Sequence, residues 1–569
     1  MNNFKIIKLI ILIVIFSFSK ANSQGISKQY EIASFPKTDS IAAAQKPLGP
    51  EWMNTATFYE IYPQTFNDSN GDGIGDLKGI IAKLDYVKSL GVDAIWLNPF
   101  YVSPFRDAGY DVADYYHVAP RYGTDQDAKD LFRIAKEKGL RIIIDFVPGH
   151  TSFDHPWFKA SSSQTKNKYS NWYIWTSGTW FDGDSKFKEN FIQCYSDRDG
   201  NYMTNFFYHQ PALNYGWGKP DPKQPWQLSV NHPDVLALKA EMKNVMKYWL
   251  EMGCSGFRVD MAGSLVKNDP DGSIKYFWQD VRNMMDVKYP DAFMVSEWSN
   301  PKDAVAAGFH ADFMHWFDSY NDLFTRNNSF FRSSGVGNIS HFLDDYNYQY
   351  KFTRGKGFIS LPVGNHDIIR INNDGRDQRD LEIIQTFAFT MPNVPFIYYG
   401  DEIGMRQLNN KPKEGAYGTR AGARTPMQWD NTKNLGFSSA MFDKVYLPFD
   451  TSSSAPTVMT QEQEPASLLN FIRKLVKLHK TEPALSNYAS FIPVYAQKDK
   501  YPFVFLRILG KDKVLVILNP SDKPVGADIK GELKGKRTVL MGINPVLKMK
   551  DGITQLKVPA KSYAIIKIR

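Results

Sequence analysis

What most constrains the fold of this chain is an alternation. Eight short apolar runs are separated by stretches with helical periodicity. The runs are FYEIYPQTF (58–66), GVDAIWLNPF (91–100), LRIIIDFVPGH (140–150), GFRVD (256–260), AFMVSEW (292–298), ADFMHWFDS (311–319), GFISLPVGNHD (357–367) and VPFIYYGDEIG (394–404). Between them lie helix-like segments such as GIIAKLDYVKSL, DQDAKDLFRIAKEKG and VLALKAEMKNVMKYWLEMG. Near-continuous apolar strands with intervening helices imply a parallel sheet covered on both faces. Eight such units imply an α/β fold built on a closed (β/α)₈ TIM barrel.

The rest of the chain divides around that barrel. Residues 1–23 carry Lys5 and Lys8, an apolar run from Leu9 to Phe18 and a small-x-small site at Ala21-Asn22-Ser23, the layout of a cleaved secretory signal. The protein is therefore expected to be exported, to the periplasm or the medium. Residues 24–50 are polar, without period, and read as a tail. The barrel is expected over 51–150 and 226–486. An aromatic-rich insertion, 151–225, follows the third strand and is too long for a loop. From 487 to 569 the pattern changes to short alternating strands (FVFLRIL, KVLVILN, SYAIIKI), expected to form a β-sandwich.

Composition excludes some classes. The formal net charge is +8, but three of the lysines lie in the signal and the rest are dispersed, so no nucleic-acid partner is expected. No later stretch is apolar enough for an integral membrane span. Two cysteines, Cys194 and Cys254, do not make a disulfide scaffold. Aromatic residues make up 14% of the chain, which leaves two readings open: a large core, or platforms that stack on sugar rings.

In a barrel of this type, chemistry sits where the strands end. Those ends carry Asp145 and His150 (third), Arg258 and Asp260 (fourth), Glu297 (fifth), and His366 and Asp367 (seventh). Arg258 and Asp260 are two apart and share a strand face. Three acids with no metal-binding His pair suit glycoside chemistry, in which one carboxylate attacks the anomeric carbon and another, protonated, serves the leaving oxygen. Asp260 is expected as nucleophile, held ionised by Arg258. Glu297, approached through the apolar AFMVS, is expected as the acid, its pKa raised by desolvation.

With DFVPGH, GFRVD, SEW, GNHD, GDEIGM and RTPMQWD in order, the sequence resembles glycoside hydrolase family 13, the α-amylase family, over nearly its whole mature length, and most closely the α-glucosidase branch. The resemblance implies Asp260 as nucleophile, Glu297 as acid/base and Asp367 as the third acid, stabilising the transition state. It places His150, His366 and Arg258 around the bound glycosyl unit. It also implies that Asp107, from RDAGYDVADYY with Tyr110, pairs across a closed pocket with Arg424 of RTPMQW, so that only chain ends enter. Met261, after the nucleophile, accompanies α-1,4 preference in that branch. Where the family commonly has the calcium-binding Asn of the first motif, this chain has Gly149, and QPALN carries Ala212 where the branch usually has Asp.

A separate loop places oxygen donors at alternate positions with glycine turns between them: Asp68, Asn70, Asp72, Ile74 and Asp76. That suits a hard cation, and it resembles the structural, non-catalytic Ca²⁺ loop of the oligosaccharide α-glucosidases. The expected activity is retaining release of glucose from α-1,4-linked maltooligosaccharides. Alternatives are an endo-acting α-amylase or neopullulanase-like enzyme, a trehalose-forming isomerase, and, from another class, a non-catalytic glucan-binding relative.

Overall fold

A computed structural model describes residues 31–36, 43–180, 190–336 and 339–569. The expected signal segment lies outside them. Among the described residues no helix is long and apolar enough to cross a membrane.

Each of the eight runs contains a strand: β1 (Phe58–Ile61), β2 (Ala94–Leu97), β3 (Arg141–Phe146), β4 (Gly256–Val259), β5 (Phe293–Ser296), β6 (Ala311–Phe313), β7 (Phe358–Ser360) and β8 (Phe396–Tyr398). All neighbours are parallel, in the order β7-β6-β5-β4-β3-β2-β1-β8. The seam between β7 and β8 is closed by Val394 N–H donating to Ile359 O at 2.9 Å and Ser360 Oγ donating to Val394 O at 2.8 Å. The eight strands thus form the expected barrel.

The strands are shorter than the runs, for local reasons. β1 stops at Ile61 because Pro63, which has no N–H for a ladder, starts a 3₁₀ turn over Pro63–Thr65. The single helix expected over GIIAKLDYVKSL is two, Leu77–Ala82 and Leu84–Ser89, broken at Lys83. Other helix limits follow their capping chemistry. Thr124 and Asp127 form a capping box at the start of Asp125–Glu137. Pro233 opens the helix Pro233–Met252, and Gly253 closes it at φ 119°, a conformation open to glycine at little cost.

The insertion between β3 and Pro233–Met252 includes the strand pair Phe191–Ile192 and Tyr202–Met203 and a buried knot of Ile174, Met203, Ala212, Trp217 and Trp226. The C-terminal part holds β9 (Ser490–Gln497), β10 (Lys500–Leu509), β11 (Asp512–Asn519), β12 (Val525–Lys530), β13 (Arg537–Gly542), β14 (Val546–Lys550), β15 (Ile553–Val558) and β16 (Ser562–Ile568). Strands β9, β10, β11, β16 and β13 form one antiparallel sheet, and β12, β15 and β14 another. Period-two alternation does two jobs here. Val504, Leu506 and Ile508 of β10 join Ile529, Leu556 and Val558 in the sandwich core. Phe503 and Phe505, on the other face, join the core of the barrel. The polar tail needs a correction. Ile32 and Ala33 pair antiparallel with Ala496 and Tyr495, adding an edge strand to the C-terminal sheet. A two-residue strand leaves no period to read.

Candidate active site

The same alternation builds the site. Inside the barrel, Phe58, Trp96, Ile143, Phe293, Val295, Phe313 and Phe396 fill the floor. Two residues further along, the same inward face presents Glu60, Asn98, Asp145, Glu297 and His315, and β4 adds Arg258 and Asp260, themselves two apart. Register fixes their heights: Asp145 lies opposite Arg258, and Arg258 opposite Val295. Asp260 and Glu297 therefore stand one inward position above this layer.

Arg258 is the hub. Its Nη1 donates to Asp145 Oδ1 and to Asp260 Oδ1, both at 2.9 Å, and its Nη2 donates to Glu297 Oε2. Asp145 Oδ2 also accepts from Trp96 Nε1 (3.1 Å) and from the Tyr110 hydroxyl (2.8 Å). Burial raises the Asp145 pKa to about 6 against the pull of Arg258. Asp260 and Glu297 are bonded to the two nitrogens of one guanidinium, so the charge on either carboxyl bears on the other. The directions in which the two pKa values are displaced are opposite to those expected from sequence. Burial, together with the charges of Glu297 and Asp145, raises Asp260 well above the usual carboxylate range despite Arg258. Burial also works to raise Glu297, but Arg258, His315 and the Trp316 N–H outweigh it and lower its pKa. The reason is geometric: Nη1 of Arg258 is divided between two acids, whereas Nη2 serves Glu297 alone.

His366 forms the opposite wall. Its ring stacks on Tyr110, with centroids 5.4 Å apart. The single Tyr110 hydroxyl proton goes to Asp145, so that hydroxyl accepts from His366 Nε2–H at 2.7 Å. Nδ1 is then left as acceptor, with Asn98 Nδ2 at 3.2 Å and Glu60 Oε1 at 2.7 Å. This requires Glu60 to carry a proton, in line with burial raising its pKa and lowering that of His366. The same Nε2–H lies 3.3 Å from Asp367 Oδ2, which is the longer of its two contacts.

Asp367 is the anionic end of the site. Burial would raise its pKa, but Arg420, His366 and Arg424 together hold it far below the ordinary value. Its Oδ1 meets Arg424 Nη2 at 2.8 Å and Arg420 Nη2 at 3.0 Å. The expected Asp107–Arg424 pair is corrected here. Arg424 is fully buried and committed to Asp367, His366 O and Gly415 O. The cation in ion-pair contact with Asp107 is Arg420, at 3.7 Å, with Arg424 acting on the same carboxylate from further off, and Gln210 Nε2 donates to the other Asp107 oxygen at 2.8 Å. An acid–Arg–acid chain, Asp107–Arg420–Asp367, therefore spans one side of the mouth.

On the insertion side, His150 Nε2 faces Tyr110 O at 3.1 Å and Nδ1 accepts from Asn205 Nδ2 at 3.1 Å. Burial lowers the His150 pKa to about 3, so the ring is neutral. Asn205 also explains Gly149, since a Cβ there would lie 2.6 Å from its Nδ2. Met261 sits at φ 43°, a strained non-glycine conformation directly after Asp260, and its Sδ is 3.9 Å from Asn205 Nδ2.

The oxygen-rich loop is folded by its own side chains. Asp68 accepts from Asn70, Gly71 and Gly73 N–H and from Ser438 Oγ; Asn70 accepts from Asp72 N–H, and Asp72 from Ile74 N–H. Asp76 caps the helix Leu77–Ala82 through Gly79 N–H and also binds Ser69. The donor chemistry, all oxygen, fits a hard cation. Yet among the described residues no three acidic, His or Cys side chains group closely enough to hold a metal, so Asn70 and the Ile74 carbonyl would have to complete the set.

The family profile described as "Alpha amylase, catalytic domain" matches residues 60–488. The chain belongs to the α-amylase family, glycoside hydrolase family 13. It is a glycoside hydrolase. It is similar to an oligo-1,6-glucosidase of Parageobacillus thermoglucosidasius, 30% identical over 545 residues, covering 83% of this chain and 91% of that one. It is similar to an α-glucosidase of Apis mellifera, 31% identical over 485 residues, covering 78% and 81%. Among solved structures, a mutant isomaltulose synthase of Erwinia rhapontici NX5, in complex with its natural substrate sucrose, superposes with TM-score 0.75 at 26% identity, covering 91% and 99%.

Among the members of this family-13 site that escaped the sequence reading are Glu60, Gln210, His315, Trp316 and Arg420. An acid inside the otherwise apolar FYEIY was a usable signal for Glu60. Arg420 and Arg424, four apart in RAGAR, were a usable signal for a second cation.

Proposed function

We propose that this family-13 hydrolase is a retaining α-1,4-glucosidase that removes glucose from the non-reducing ends of maltooligosaccharides. The observation that carries this reading is the Asp107–Arg420–Asp367 chain. Charged groups linked across one side of a groove close it into a pocket, and their remaining lone pairs and N–H groups suit the hydroxyls of a terminal sugar. That Asp260 and Glu297 are both bonded to the one Arg258 guanidinium supports the short separation of a retaining pair over the wider gap of an inverting one.

In the reaction proposed, a glucosyl unit enters beside His150, His366 and Asp367. Positive charge developing at its anomeric carbon favours an anionic Asp260 and leaves the proton with Glu297. Asp260 attacks C1 as Glu297 protonates the departing glycosidic oxygen. Water, deprotonated by Glu297, then releases glucose and restores Asp260. Asp367 and the His366 N–H stabilise the oxocarbenium-like ring and its hydroxyls. Met261 beside the nucleophile supports the α-1,4 preference, a discrimination worth a few kcal/mol. We also infer export, from the N-terminal pattern, and a weak calcium site at the Asp68–Asp76 loop.

A time course of products from maltopentaose tests the activity. Glucose with maltotetraose at the earliest points is expected. Early maltose with maltotriose would mean an open cleft, and faster cleavage of isomaltose than of maltose would overturn the linkage.

A further inference from the structure

Trp316 combines two properties that are rarely found together. Its side chain is in the open, with 41% of the residue exposed. Its indole N–H is nevertheless committed, donating to Glu297 Oε1 at 3.0 Å. It follows β6, its main-chain N–H reaching Ser299 Oγ at 3.3 Å on the loop after β5, and its ring packs 4.6 Å from the buried His315 ring. The indole is thus anchored at its polar edge and along one flank, and presents the remainder to solvent at the mouth.

The chemistry of that edge is one-sided. An indole N–H donates and never accepts. Glu297 Oε1 is therefore held as an acceptor, and any proton that Glu297 delivers is carried on Oε2, the oxygen that Arg258 occupies at rest. The location of the exposed face has a second consequence. A glycosidic oxygen within hydrogen-bonding reach of Glu297 brings the sugar on its leaving side to within a bond or two of the same place. The surface waiting there is aromatic, and aromatic faces stack on the C–H faces of pyranose rings.

We propose that Trp316 is a positioning residue for Glu297 and the platform for the leaving sugar, selecting substrates whose leaving group is itself a sugar. This rests on the reading of Glu297 as the proton donor. The charged and titratable groups facing Glu297 are Arg258 and Asp260 from β4 and the loop after it, Asp145 from β3, Asp312 from β6, His315 beside Trp316, and Asp367 after β7. Changing Trp316 removes none of them.

The two functions separate in two variants and two substrates. Trp316→Phe keeps a ring and loses the donor. Losing a hydrogen bond to the ionised form raises a carboxyl pKa, so the alkaline limb of kcat/KM should move up by about half to one pH unit, with KM for maltotriose within about twofold. Trp316→Ala also loses the platform. Its kcat/KM should fall at least about tenfold more on maltotriose than on α-glucosyl fluoride, whose leaving group carries no sugar and needs little acid help. Melting curves check that both variants fold. Equal losses on the two substrates with an unmoved alkaline limb would overturn the proposal, leaving Trp316 as part of the rim. Glu297→Gln tests the underlying reading separately: if it still hydrolyses maltotriose, the acid assignment fails whatever Trp316 does.

Discussion

Arg420 and Arg424 stand one helical turn apart and bind the same oxygen of Asp367, yet their replacement should have different signatures. Arg420 is partly exposed, its side chain 23% accessible, and bridges Asp367 at 3.0 Å and Asp107 at 3.7 Å. Hydrogen bonds to charged groups are worth about 1.5–3 kcal/mol, and loss at a solvent-accessible site leaves little buried charge stranded. If the bridge serves the terminal sugar, Arg420→Gln should lower kcat/KM on maltotriose about 10- to 150-fold, at about 1.4 kcal/mol per tenfold, and barely move the melting temperature. Arg424 is fully buried and holds Asp367, His366 O and Gly415 O. Arg424→Gln takes a fully buried partner from Asp367 and leaves the His366 and Gly415 carbonyls without their donor, which costs about 3–5 kcal/mol of stability. Spread over a barrel of this size, that is a fall of about 3–6 °C in melting temperature, accompanied by loss of turnover. Steady-state kinetics, maltopentaose product analysis and calorimetry on the two variants read these outcomes. Wild-type kcat/KM in Arg420→Gln, with an unchanged melting temperature in Arg424→Gln, would refute the division of labour drawn from the distances.

Asp260→Asn should abolish turnover on maltotriose while keeping or slightly raising the melting temperature, because a neutral amide replaces a buried acid; residual activity above about one part in a thousand would refute the nucleophile assignment. At the Asp68–Asp76 loop the small number of grouped carboxylates points to calcium affinity of about 10⁻⁴–10⁻³ M, so thermal stabilisation should appear only at millimolar calcium, and saturation at micromolar calcium or collapse in chelator would show a fuller ligand set. Burial lowers the His479 pKa to about 4. Below the unfolded value near 6.5 the unfolded chain binds a proton that the folded chain refuses, so this contribution is present at neutral pH and lost as pH falls toward 4. His479→Gln removes that loss, and its stability deficit against the wild type should shrink by about 2 kcal/mol between pH 7 and pH 5; denaturant titrations showing a constant deficit would contradict this.

The sequence by itself determined the barrel, because eight apolar runs with helices between them have few other ways to bury both faces of a parallel sheet. It also determined which side chains share the inward face: Arg258 and Asp260 are two apart on one strand, and that parity survives any packing. Local chemistry, such as the capping box at Thr124 and the proline that ends β1, set element limits that the apolar runs alone overstated. Distances between strands were not legible in the sequence. Parity puts Asp145, Arg258, Asp260 and Glu297 on the inside, but only the register of β3, β4 and β5 decides that one guanidinium serves all three acids, with one nitrogen divided between Asp145 and Asp260 and the other kept for Glu297. Arg420 and Arg424 are equal as sequence. Which one reaches Asp107 depends on the fold of the segment after β8 against the mouth, where a single helical turn exchanges one cation for the other. Trp316 reads as one more aromatic in an aromatic-rich chain until its N–H is seen on Glu297, nineteen residues away. Contacts of that kind join different elements, and the tertiary structure decides them because no local propensity encodes them.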